Sequence, residues 1–73
     1  MINRQTKKIL NQKLTTLTIN LENNYKDLAI DALKDLTDTL EHLISTGQLN
    51  DKDYLKFKKI VDNYTLRMKD YHH

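Results

Sequence analysis

The chain contains no cysteine, no proline, no tryptophan and a single glycine, Gly47. The missing cysteines exclude disulfides as the staple of a small fold and fit a reducing compartment. A chain with one glycine and no proline is punctuated once along its length, whereas sheets need frequent turn residues. The fold class is therefore all-α. No stretch approaches the roughly 18 apolar residues of a membrane span, and residues 1–20 lack the apolar core of a signal peptide, so a cytoplasmic protein with no membrane contact is expected.

Catalytic chemistry is missing in the same way. The one serine, Ser45, lies beside the expected turn, where its hydroxyl is expected to hydrogen-bond locally at the helix end. His42 finds only Asp38 as a possible metal co-ligand within a helical turn, and His72 and His73 are terminal. Pairs such as Asp31 with Asp35 share a helical face, but a general acid needs a cleft to raise its pKa, and so short a chain has little volume for one. No glycine-rich phosphate loop exists. These residues predict a protein that is not an enzyme and binds no cofactor or metal.

What is present is charge in blocks. Arg4, Lys7, Lys8 and Lys13 give the first 21 residues +4; residues 22–53 hold eight acids against three lysines; residues 54–73 return to +3, for a net +2. An acidic middle between basic flanks suits antiparallel packing of unlike neighbours. Asn, Lys, Asp, Thr, Ile and Leu dominate, a usage common in AT-rich bacterial and phage genomes.

Periodicity then fixes the elements. Tyr25, Ala29, Leu33, Leu36, Leu40 and Leu43 recur at three- and four-residue spacing, with Leu28, Ala32 and Ile44 beside them, predicting a helix over about 24–46. Thr46 and Gly47 fit its C-terminal cap. Asn50 as N-cap, Asp53 three residues later, and Leu49 with Tyr54 as a hydrophobic staple mark the restart. Tyr54, Phe57, Val61, Tyr64, Met68 and Tyr71, with Leu55 and Ile60 beside them, then predict a second helix over about 51–71, antiparallel to the first. Ile9, Leu10, Leu14, Leu17 and Leu21 predict an amino-terminal helix over about 3–18. The run Thr15, Thr16, Thr18, Ile19 argues for a kink or connection between 18 and 24, with Asn20, Asn23 and Asn24 as candidate N-caps.

The expected architecture is one domain over residues 1–73: a basic helix or arm over 1–20 and a hairpin over 21–73, completing a three-helix or dimeric bundle. So small a chain buries only about 60% of its unfolded surface, which favours a homodimer. In outline, Leu40 to Tyr71 resembles the short helical-hairpin phosphatases, in the turn with Gly47 and Leu49 and a second helix ending near a tyrosine. Their Ser-Gln-Glu-Leu-Asp signature is replaced by Lys58, Lys59, Ile60, Val61, Asp62, so the activity is not carried over. The expected function is a protein-interaction module, an inhibitor, antirepressor or adaptor acting on a larger bacterial or phage protein. Its partner-binding residues are expected to be Arg4, Lys7, Lys8, Lys13, Tyr64, Arg67 and Tyr71. A nucleic-acid-binding helical dimer is the alternative, with the basic amino-terminal residues and Lys56, Lys59 and Lys69 on phosphates.

Overall fold

The computed structural model describes residues 4–69, with side chains to Met68. Three helices follow in chain order: α1 Arg4–Glu22, α2 Lys26–Ser45 and α3 Asp51–Lys69. The expected positions of residue 3 in the first helix and Tyr71 in the last lie outside the described residues. Both outer helices pack on α2, while α1 and α3 run parallel and nowhere approach each other as closely as each approaches α2. The principal extents are 39 × 18 × 15 Å, those of an elongated bundle.

One stripe from each helix builds the core. Leu10 and Leu17 come from α1, Ala29, Leu36, Leu40 and Leu43 from α2, and Phe57, Val61 and Met68 from α3. Leu49, from the second connection, closes one end, and Leu14, Leu21, Ala32, Leu33, Tyr54 and Tyr64 pack half-buried around this set. The predicted periodicity thus marks the inward faces, with four exceptions, of which Ile9 on α1 is 38% exposed. Tyr25 precedes the first turn of α2, where helical phase does not yet hold, and is exposed. Leu28 also lies mostly in solvent. Leu55 is turned to the outer face of α3, opposite Phe57 and Val61.

The α2–α3 connection matches its prediction part by part. Gly47 adopts φ 77°, which lets its N–H reach the Ile44 carbonyl at 3.3 Å and the Gln48 N–H the Leu43 carbonyl at 3.0 Å. The Asn50 side-chain oxygen then accepts the Asp53 N–H at 2.8 Å, capping α3. Leu49 is buried and Tyr54 half-buried in the same core, as a staple requires.

The first connection falls at the end of its expected 18–24 window, with its turn at Asn23 and Asn24, but differs in its details. α1 does not end or kink near residue 18 but continues to Glu22. The threonines do not break it, and their hydroxyls donate to carbonyls within the helix: Thr15 to Asn11 at 2.8 Å, Thr16 to Gln12 at 3.0 Å, Thr18 to Thr15 at 2.9 Å. Asn24 is not an N-cap. It takes φ 59° as the left-handed residue that ends α1, with its N–H on the Leu21 carbonyl at 3.1 Å and the Tyr25 N–H on Asn20 at 2.9 Å. Neither Asn20 nor Asn23 caps α2; the capping position is Tyr25, which offers no side-chain hydrogen bond.

Candidate interaction site

The basic residues of α1 divide between two jobs. Lys13 lies on the flank facing α2, where its Nζ meets Asp35 Oδ2 at 2.6 Å with the lysine side chain 30% exposed. This is the expected pairing of basic segment with acidic middle helix, made by one cation. Arg4, Lys7 and Lys8 sit one to two turns earlier and face solvent, and none forms an ion pair with a described residue. Helical spacing continues their line through Asn11, Gln12, Thr15 and Thr16, and these seven residues border one shallow, open trough on a single helix. Asn11, Gln12, Thr15 and Thr16 are not among the expected partner-binding residues; their spacing of three to four residues from the cations is the signal in the sequence that places them on this face.

The acidic charge faces elsewhere. Asp27, Asp31, Asp38 and Glu41 are exposed on α2, away from the core stripe of Leu36 and Leu40. The bundle therefore presents an acidic outer surface on α2 and a basic one on α1.

Tyr64 and Arg67 meet at the other end of the molecule. The Arg67 guanidinium stands 5.4 Å from the centre of the Tyr64 ring, a cation–π distance. With Thr18, Leu21 and Glu22 they line a 170 Å³ notch between the carboxyl-terminal turns of α1 and α3. They are more than one helix length removed in sequence from Arg4, Lys7 and Lys8, which occupy the opposite end of α1, so the expected partner-binding residues form two surfaces. Tyr71 lies outside the described residues.

Tyr54, at the start of α3, donates its hydroxyl to Glu41 Oε2 at 2.5 Å. That hydrogen bond, with desolvation and the charges of Glu41 and Asp62, raises the Tyr54 pKa above the usual 10.0. The bond ties α3 to α2 beyond the turn. Asp62, the one residue shared with the hairpin-phosphatase signature, is exposed and paired with Lys58 at 3.2 Å. Among the described residues no group of three or more His, Asp or Glu side chains is placed to hold a metal ion, and no helix is long and apolar enough to cross a membrane. Comparison with known protein families, with curated proteins and with solved structures finds no match.

Proposed function

We propose that this chain is a non-enzymatic helical interaction module that docks on an acidic surface of a larger protein through Arg4, Lys7 and Lys8. The observation behind this reading is the division of labour on α1: Lys13 neutralises Asp35 within the fold, while three cations of the same helix are exposed and form no ion pair with a described residue. Fixing three cations on one rigid helix favours electrostatic steering toward an acidic partner. The small size of the chain fits a regulator, inhibitor or adaptor of a bacterial or phage protein acting in the cytoplasm.

A triple variant R4E/K7E/K8E separates this role from folding, because all three side chains are exposed. Its helicity and melting should match the wild type, while proteins captured from the native host by the wild type should be lost. Lys13→Ala should do the reverse and retain capture with slightly lower stability. Equal capture by the wild type and the triple variant would refute the proposal.

One observation favours nucleic acid as a second reading. Asn11, Gln12, Thr15 and Thr16 extend the cationic line with amides and hydroxyls, the side chains that meet phosphates and base edges when a helix lies on a duplex. Three phosphate contacts would lower affinity about 40-fold between 50 and 200 mM salt, from a slope of roughly −0.9 per contact. Fluorescence anisotropy with a labelled duplex and a labelled single strand measures this, and no binding to either at low salt would end this reading.

A further inference from the structure

Leu55 and Leu66 are the two most exposed large apolar side chains among the described residues, 63% and 62% exposed. Both lie on the face of α3 turned away from Phe57, Val61 and Met68. Between them on that face stand Lys59, exposed, and Asp62, with 58% of its side chain in solvent. Leu55, Lys59, Asp62 and Leu66 recur at spacings of four, three and four, the a/d period of a two-helix seam. α3 therefore carries two stripes: a core stripe and a shorter one opposite it.

The outer stripe is its own complement. A two-fold axis crossing α3 between Ile60 and Val61 sets Leu55 opposite the partner's Leu66, and Lys59 opposite the partner's Asp62, with each contact made twice. A parallel, in-register pairing of the same stripe stacks Lys59 on the partner's Lys59 and Asp62 on the partner's Asp62, like on like. Charge thus selects one orientation. Asp62 already accepts Lys58 of its own helix, and the exposed remainder of its carboxylate is what a second lysine would meet. Independently of the proposed role of α1, we propose that the outer face of α3 is the seam of an antiparallel homodimer.

The seam is short. Beyond Leu55 the stripe turns to Lys52, leaving four layers and a buried surface below the roughly 1,200 Å² of a stable standard-size interface. The dimer is accordingly weak and concentration-dependent, and it leaves the basic face of α1 free.

Sedimentation velocity from about 10 μM to about 1 mM tests it, a range that brackets dissociation constants for weak association. The wild type should pass from monomer to dimer, and L55D/L66D should stay monomeric. Lys59→Asp and Asp62→Lys should each weaken the dimer by about tenfold or more, and the double exchange K59D/D62K should restore it. All four positions are exposed on a face the core does not use, and circular dichroism checks that each variant keeps its helices. Because the chain has no cysteine, orientation can be read directly. In the antiparallel seam two copies of position 55 stand roughly 16 Å apart, eleven residues at about 1.5 Å each, so L55C alone should not cross-link while a mixture of L55C and L66C should. A wild type monomeric at every concentration, a dimer that survives L55D/L66D, a double exchange that fails to restore it, or L55C cross-linking as readily alone as in the mixture would each overturn the seam.

Discussion

The two connections of this bundle end their helices with the same backbone device but begin the next helix differently. Gly47 and Asn24 are both left-handed, at φ 77° and 59°, and each is flanked by a pair of hydrogen bonds that returns to the last turn of the preceding helix. After Gly47 the chain adds an Asn50 side-chain cap, a buried Leu49 and a Tyr54 bonded to Glu41. After Asn24 it adds none of these: Tyr25 stands at the capping position with its side chain in solvent. Stopping a helix needs one residue that tolerates positive φ. Restarting one in a fixed direction takes side chains, and the second connection has them.

The largest effect that tests this contrast is at Gly47. Nothing lies within 4 Å of where a Cβ would be placed, so a substitution there is penalised by backbone conformation alone. Gly47→Val should cost about 1–3 kcal/mol, the range for a non-glycine held in a sparsely populated region. At roughly 4–8 °C per kcal/mol for a domain this size, a thermal melt will show it. Gly47→Asn should cost clearly less, since asparagine already fills the same role at position 24. If valine and asparagine melt alike, the two connections do not share a device. Next in size, Asn50→Ala removes the acceptor for the Asp53 N–H and should cost about 1 kcal/mol.

The difference between the connections is also the difference between what could and could not be read from sequence. A lone glycine has few uses inside an otherwise helical pattern, and Asn50, Asp53, Leu49 and Tyr54 each add an independent signal, so α2, the turn and α3 were all legible. Asn24 was ambiguous because asparagine serves both as an N-cap and as a left-handed closing residue, and only the hydrogen bonds of the folded chain distinguish them. Thr15, Thr16 and Thr18 were misread because β-branching lowers helix propensity by tenths of a kcal/mol per residue, less than the burial of Leu10 and Leu17 returns. For the candidate site, sequence supplied the excess of cations in α1 but not their division. Whether Lys13 or Lys8 finds Asp35 depends on which flank of α1 faces α2, a matter of helix rotation that no local pattern encodes.

The contrast sharpens further if the poorer connection can be improved. Tyr25→Asp supplies a side-chain acceptor at the capping position for the N–H groups of Asp27 and Leu28, and places a negative charge at a helix amino terminus. Tyr25 is 55% exposed, so little burial is lost. The variant should gain about 0.5–1 kcal/mol, somewhat offset by repulsion from nearby Asp27, and its melting point should rise by a few degrees. A lower melting point would show that the tyrosine ring itself, and not an absent cap, matters at that position.

The smallest effect concerns the brace unique to the second connection, and its signature is a pH dependence. Tyr54 donates to the Glu41 carboxylate, and its pKa in the fold lies above the ordinary 10.0, chiefly through that bond. A group whose pKa is raised on folding contributes stability in its protonated form. The contribution is complete below the unfolded value near 10 and disappears as pH climbs through the folded value, beyond which tyrosinate faces a carboxylate. Tyr54→Phe should therefore melt slightly below the wild type by a constant margin from pH 7 to 9, and the margin should close or reverse above pH 10. Lysine deprotonation also lowers stability in that range, but it is common to both proteins and cancels in the difference. A margin that persists unchanged to high pH would assign the role of Tyr54 to ring packing against Leu49 and the core, and would leave the hydroxyl bond to Glu41 without a part in fixing α3 on α2.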